Sequence, residues 1–499
     1  MLGKFFECEA DKNKKYYRVV QTIRKYKDGK KFPIDEVVIA DKEIDLNATD
    51  STKMGGFCVS TYNYAFRWLI RGDTLCEVKI LEDSKFYKTV SENDIYVCNK
   101  MILSNPQKID DDFAMKLYKA STLNETSYFG RGSRRKLAEE LKSRRYEKVL
   151  LVSDQTLVQN NIVKMITDIL TTEGIIYFEY LNVRPNPTVA NVQEGLRVAQ
   201  ISNIDAIIAV GGGSVIDTAK AMSIVMTNPE HSGIVSLDGA IKTRNKGLPV
   251  FALPTTSGTA AEVTINYVIT DEANNKKMVC VDVHDIPVCA IIDPDLMQGM
   301  PQSLAATTGM DALTHAMEGY ITKAGWLIPD IFHVNSMALI YKNLEQAANE
   351  KDEVAIEKMA YAQYIAGMGF SNVGLGIVHS MAHSLGAYFD TPHGLANAIL
   401  LPHVLKFNGE VCPELFRNMG KAIGLNMDNL NDEAAVEKVV NAVVELSKKL
   451  KIPQTLREIG IQEEMIPTLA NQAINDICTA GNPREVTVED IVSLYKKAY

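Results

Sequence analysis

The chain lacks the marks of several protein classes. No stretch of its 499 residues approaches the ~18–20 consecutive apolar residues of a membrane-spanning helix. The opening run from Met1 to Glu9 has no apolar signal core and soon meets an acid, so a cytoplasmic protein with no membrane partner is expected. Positive charge is in deficit: 53 Lys and Arg face 62 Asp and Glu, a net charge of -9. That balance argues against non-specific binding to nucleic acid. The eight cysteines (Cys8, Cys58, Cys76, Cys98, Cys280, Cys289, Cys412 and Cys478) form no C-x-x-C pair. They read as reduced cytosolic thiols, which excludes a disulfide framework, a zinc finger and an iron–sulfur cluster. There is no low-complexity tract and no internal repeat. Histidine is missing from the first 230 residues, and all eight lie between His231 and His403.

What remains is an ordinary globular composition, 46% hydrophobic and 23% charged. At roughly 100–200 residues per domain, this length holds about two to four domains. Residues 1–118 are rich in Lys, Tyr and Asp and carry short strand-like runs at 36–40, 75–80 and 94–98. Gly55-Gly56 and Gly72-Asp73 offer turns between such runs, so this region reads as a small α+β module. From Arg134 the pattern alternates. A charged helix runs to Arg145, a buried strand spans 148–154, an amphipathic helix 159–173 and a second strand 174–179. A helix over 189–202 and a third strand over 204–210 follow. Strand–helix–strand order at this spacing predicts βαβ units and a parallel sheet. Beyond Pro301 the apolar spacing is helical, as at 331–348, 353–370, 433–450 and 485–498. The expected limits are therefore a module over 1–118, an α/β domain over 119–300 and a helical domain over 301–499.

Three turns stand out. Ile207-Ile208-Ala209-Val210 runs into Gly211-Gly212-Gly213-Ser214 and then a helix containing Asp217 and Lys220. Such a turn lets backbone approach a diphosphate, and the helix N-terminus adds donors; a tight turn without a ligand is the alternative. Asp154, at the end of the first strand, is placed to accept from an adenosine ribose and to repel a 2′-phosphate, or simply to cap the next helix. Pro254 to Glu262, with Thr255 and Thr256, is a second polar turn after a strand, suited to pyrophosphate or nicotinamide contacts or to none.

The histidines carry the most specific signal. Asp311 and His315 are four residues apart, His379 and His383 repeat the spacing, and His393 follows in a turn. Residues i and i+4 share a helix face. One carboxylate with several imidazoles suits a divalent metal such as Fe(II) or Zn(II). Five candidates exceed a four-ligand shell, so one of them lies behind the ligands or carries a proton. His231, His284, His333 and His403 read as structural.

Residues from about Ser121 to Tyr499 closely resemble the iron-containing (group III) alcohol dehydrogenases. The resemblance rests on 211–220, 254–266, 309–318, 374–383 and 391–397. It implies an α/β dinucleotide-binding half plus an all-helical half, the fold shared with dehydroquinate synthase, here preceded by the α+β module. It implies metal ligands Asp311, His315, His379 and His393, with His383 as a proton-relay residue near the nicotinamide. Cofactor contacts would fall on Asp154, Asn186, Gly212, Gly213, Ser214, Thr255, Thr256, Thr264, Lys277 and Leu304. Asn266, Phe370 and Cys478 would line the substrate pocket. The implied enzyme is a homodimer that uses NAD(H) and Fe(II), with Zn(II) as an alternative, on a small aldehyde or alcohol. Lactaldehyde and 1,2-propanediol are the expected pair, and Val268 and Phe370 leave room for two or three carbons. The rivals are another small-alcohol or glycerol dehydrogenase, a dehydroquinate synthase-like lyase, and a binding protein defined by its first 118 residues. No such extension belongs to the family.

Overall fold

The structure, a computed structural model, describes residues 5–7, 16–20, 35, 37–40, 57–60, 74–89, 95–108 and 123–499. The chain divides into two compact units, Met1–Ser121 with Gly325–Ile328, and Thr122–Ala324 with Pro329–Tyr499.

In the first unit the described residues form strands β1 (Phe5–Glu7), β2 (Tyr16–Val20), β3 (Val37–Ile39), β4 (Phe57–Ser60), β5 (Thr74–Ile80), β6 (Phe86–Thr89), β7 (Ile95–Cys98) and β8 (Lys100–Lys108). They make one sheet in the order β1-β6-β7-β4-β2-β5-β8-β3. Every pairing is antiparallel. Alternation along the strands buries Cys76 and Val78 of β5 against Met101 and Leu103 of β8, and Phe86 stacks on Tyr96. The expected strands near 37, 75 and 95 are present. Gly55-Gly56, Gly72-Asp73 and the helical part of the expected module lie outside the described residues.

The second unit carries β9 (Thr126–Phe129), helix α1 (Lys136–Ser143), β10 (Lys148–Val152), α2 (Gln155–Gln159), α3 (Ile162–Thr172), β11 (Ile176–Tyr180), α4 (Val189–Ser202), β12 (Ala206–Gly211) and α5 (Gly213–Thr227). Strands β13 (Gly239–Ala240), β14 (Val250–Pro254), β15 (Asn266–Asp271), β16 (Lys276–Val281) and β17 (Cys289–Ile292) follow. Six strands form a parallel sheet in the order β11-β10-β12-β14-β17-β9. Its central strands are apolar throughout because both faces are covered. In β12, Ile207 and Ala209 join one buried layer, and Ile208 and Val210 join the other. The expected helix over 159–173 is α3, and the short α2 precedes it, set off because Asn161 takes a left-handed conformation (φ 58°) between them. Asparagine tolerates that region better than most residues. A small sheet, β13-β16-β15, flanks the large one.

The helical half comprises α6 (Gln302–Ile321), α7 (Leu327–Asn349), α8 (Glu353–Val373), α9 (Ile377–Phe389), α10 (His393–Gly409), α11 (Pro413–Ala422), α12 (Asp432–Lys449), α13 (Ile466–Ala473) and α14 (Val488–Ala498). Helix α6 is buried from Gly309 to Ile321 on every face, so its polar residues there must find partners inside the protein. The two halves are tied by Gln363 Nε2 donating to Glu262 Oε1 and Ile265 N donating to Ser371 Oγ at 3.1 Å. Among the described residues no helix is long and apolar enough to cross a membrane.

Candidate active site and metal centre

The site begins where β12 meets α5. Gly212 is extended and offers no side chain to cap the helix, so the N-terminus of α5 is left to backbone donors. A Cβ on Gly212 would come within 3.2 Å of Thr256, and one on Gly213 within 2.7 Å of Thr259. Glycine is therefore needed for the two loops to approach. Thr255 N donates to Gly211 O at 3.0 Å, which fixes that approach. Asp154 caps α2 by accepting from Leu157 N at 3.0 Å, and it also borders the cleft above the sheet. The capping reading of this residue is observed directly, and its place on the cleft leaves the carboxylate within the space a nucleotide would use.

That cleft has a volume of about 820 Å³. Asp154, Asn186, Gly212, Gly213, Ser214, Thr255, Thr256 and Leu304 line it, together with Asp311 and His393. It runs outside the carboxyl ends of the parallel strands, where α/β sheets bind ligands. A smaller cavity of about 140 Å³ adjoins it through the shared residues Asn186, Gly213, Ser214 and His393. Thr264 and Lys277 line this inner cavity with Asn266, Phe370, Cys478, His315, His379 and His383. All the expected cofactor and substrate positions thus border one or the other of two adjoining cavities. Lys277 is almost fully buried, which pulls its pKa down to about 8 against the pull of Asp390 and Asp217. Its Nζ donates to Asn186 Oδ1, and Asn186 Nδ2 donates to Asp390 Oδ1, so this chain of bonds links the lining of the inner cavity to that of the cleft.

At the inner end, Asp311 and His315 on α6 meet His379 on α9 and His393, the first residue of α10. One ligand atom from each of the four lies within 4.8 Å of all the others. The rings of His315 and His379 stack at 4.6 Å. His379 Nδ1 is 2.6 Å from Glu318 Oε2, which leaves Nε2 facing Asp311 Oδ1 at 3.9 Å; His393 Nε2 is 3.6 Å from the same oxygen. Burial drives His379 well below the ordinary imidazole pKa, aided by the neighbouring rings. Desolvation likewise lowers His393 to about 3 and lowers His315, in both cases against the pull of Asp311. Three neutral imidazoles and a carboxylate with converging lone pairs fit a divalent cation, which needs deprotonated nitrogen and oxygen donors.

Three supporting residues went unassigned in the sequence reading. Glu318 accepts from Gly376 N, Val378 N and His379 N at 3.2, 2.8 and 3.4 Å, so a buried carboxylate holds the start of α9. Burial raises it to about 7 despite those bonds. A Cβ on Gly376 would meet Glu318 Oε1 at 2.7 Å. Its signal was there: Glu318 follows Asp311 by seven residues, on the same helix face. Asn397, one turn after His393, donates to Asp311 Oδ1 at 2.7 Å and lies 3.2 and 3.1 Å from Nε2 of His379 and His393. Asp476 accepts from His383 Nδ1 at 2.8 Å. Burial would raise Asp476, but His383 and Cys478 lower it overall. No local pattern links Asp476 to His383, which is 93 residues away.

An open cleft along a parallel sheet, ending at donors for a divalent cation, defines a metal-dependent enzyme with room for a nucleotide. Comparison with known proteins gives the family. The family model described as iron-containing alcohol dehydrogenase matches residues 124–294, and the C-terminal model of the Fe-containing alcohol dehydrogenase family matches residues 305–499. The chain belongs to the iron-containing alcohol dehydrogenase family. It is 51% identical over 378 residues to the lactaldehyde reductase of Escherichia coli (strain K12), covering 76% of this chain and 98% of that protein. It is 39% identical over 377 residues to the 1,3-propanediol dehydrogenase of Citrobacter freundii, covering 75% of this chain and 97% of that protein. The solved alcohol dehydrogenase from Oenococcus oeni superposes with a TM-score of 0.74 at 36% identity, over 76% of this chain and 99% of that chain. The first 123 residues lie outside both matched regions.

Proposed function

We propose that this chain is an NAD(H)- and iron-dependent oxidoreductase that interconverts a small aldehyde and its alcohol, lactaldehyde and 1,2-propanediol being the leading pair. The observation that carries the reading is the junction of the two cavities at the Asp311, His315, His379 and His393 cluster. Those four residues would hold Fe(II), with Zn(II) able to use the same donors. Bound Fe(II) and NADH supply Lewis-acid polarisation of the substrate oxygen and a hydride. The protein's own contribution is placement. Gly212, Gly213, Ser214, Thr255 and Thr256 receive the diphosphate at the start of α5, Leu304 and Asp154 receive the adenosine end, and Asn186, Thr264 and Lys277 hold the nicotinamide end. Phe370, Asn266 and Cys478 bound a space sized for a few carbons. Asp476 holds the proton on His383 Nδ1 and leaves Nε2 toward the pocket, where His383 passes a proton to or from the substrate oxygen.

Identity to the Escherichia coli lactaldehyde reductase favours this substrate, and the 1,3-propanediol dehydrogenase relative keeps other small diols in the substrate class. Within the same reading, the enzyme is a cytoplasmic homodimer with domain limits near 118 and 300. The unit boundary at Ser121 and the break between β17 and α6 support those limits. The test is anaerobic NADH oxidation with lactaldehyde after chelation and reloading with Fe(II) or Zn(II), alongside metal analysis and light scattering. Chelation should abolish turnover and Fe(II) should restore it. Turnover that survives complete removal of metal would sink the reading.

A further inference from the structure

A second set of metal-binding side chains sits beside the first. His383 lies one turn after His379 on α9, and its Nδ1 is 2.8 Å from Asp476 Oδ2. The other Asp476 oxygen, Oδ1, accepts from Cys478 N at 2.9 Å, which holds the short turn Ile477–Gly481 so that carboxylate and thiol project together. The donor atoms of His383, Asp476 and Cys478 all lie within 4.8 Å of one another. His383 and Cys478 both border the inner cavity, and the His383 ring stacks on His393 at 5.2 Å.

We propose that His383, Asp476 and Cys478 form a second divalent-metal site, selective for a thiophilic cation such as zinc or cadmium, whose filling inhibits the enzyme. Nitrogen, carboxylate and thiolate are a three-ligand zinc set with the fourth position open to the cavity. Iron at the first centre and zinc here differ in donor softness: the first centre offers no sulfur. The charges also balance. A dication with the Asp476 carboxylate and the Cys478 thiolate is neutral overall, which limits its repulsion of a cation held by Asp311 a few ångströms away. Binding replaces the Cys478 thiol proton by the metal and releases it to solvent, and the neutral His383 ring ligates through whichever nitrogen lacks the proton, the proton moving from Nδ1 to Nε2 by way of solvent where Nδ1 is the ligand. Burial and the Asp476 and Glu318 carboxylates push the free thiol well above its ordinary pKa, so this displacement needs a cation with real affinity for sulfur. Once ligated, His383 no longer passes protons and the cation stands where the substrate would. That inhibitory consequence rests on the function proposed above; the binding itself does not.

The test titrates the Fe(II)-loaded, full-length enzyme anaerobically with Cd(II), following thiolate-to-cadmium charge-transfer absorption, NADH oxidation and iron content together. The expected result is one absorbing equivalent that Cys478→Ser lacks, loss of turnover in step with the band, and iron retained. Zinc inhibition should then need at least about tenfold more metal in Cys478→Ser. Asp476→Asn, which keeps the thiol, should weaken the same band. An identical band in Cys478→Ser, or inhibition in step with iron release, would overturn the site. An enzyme that binds Cd(II) at Cys478 yet shows no aldehyde reduction before titration would instead fault the proposed function.

Discussion

Asp154 combines two duties that a sequence reader has to choose between. Its carboxylate caps α2 through Leu157 N, and it borders the cleft. Substituting a cap residue by glycine costs only a few tenths of a kcal/mol, so Asp154→Gly should leave the fold intact. Two charges ~4 Å apart near a protein surface interact by about 4 kcal/mol, so removing the carboxylate should improve kcat/KM for NADPH relative to NADH at least about tenfold. Steady-state kinetics with both cofactors check this, and unchanged discrimination would remove Asp154 from cofactor selection. Asp476 is the opposite case, invisible in sequence because an acid in a helix-poor stretch carries no sign of its partner. In Asp476→Asn the His383 tautomer is no longer enforced. The expected loss in kcat is about 10–100-fold with KM little changed, as for other residues that orient a functional histidine. Asp476→Glu should restore part of it. Equal falls in kcat and thermal stability in both variants would mark the residue as structural.

Among the elements, the sheet was easier to read than the breaks within it. Unbroken apolar runs such as Ile207-Ile208-Ala209-Val210 announce strands buried on both faces, and these strands are in place. The short α2 before Asn160-Asn161 was not legible as an element of its own, because five residues are too few to show a helical period. The packing of α6, α7 and α8 was equally hidden. His333 on α7 is fully buried with neither ring nitrogen bonded, wedged between glycines of the two neighbouring helices. A Cβ on Gly319 would lie 2.3 Å from its ring, and one on Gly369 2.4 Å. Gly369→Ala should therefore destabilise the protein by about 1–3 kcal/mol, the usual cost of overpacking. In a double-mutant cycle with His333→Ala, much of that cost should vanish in urea unfolding. Simple additivity would deny the contact. Burial also lowers His333 to about 3, with His315 adding to the effect. A neutral native imidazole and an unfolded one that takes a proton below ~6.5 make stability fall as pH drops from ~6.5 towards 3, by at most ~1.4 kcal/mol per pH unit from this group. His333→Leu should flatten that slope in pH-dependent melting; an unchanged slope would assign the acid sensitivity elsewhere.

For the molecule as a whole, the division between units separates what is familiar from what is not. Thr122 onward contains the sheet, the cleft and the histidine cluster, and it spans 98% of the Escherichia coli lactaldehyde reductase. The metal-centre candidates were legible because two i,i+4 pairs bring four of the five residues onto helix faces before any tertiary contact is known. The first unit gave no such handle. In its sequence no cluster of chemically active side chains recurs at a fixed spacing. Its described strands nonetheless bury a core of their own, with Cys76, Phe86, Tyr96, Met101 and Leu103 at its centre. A unit with its own core need not lend packing to its neighbour. A chain beginning near Ser121 should therefore fold cooperatively and, loaded with Fe(II), oxidise NADH with lactaldehyde at the kcat/KM of the full chain. Circular dichroism and anaerobic kinetics on both forms make the comparison. A shortened chain that folds and binds metal yet loses turnover would place residues 1–121 within the working enzyme, and the reaction would then belong to both units.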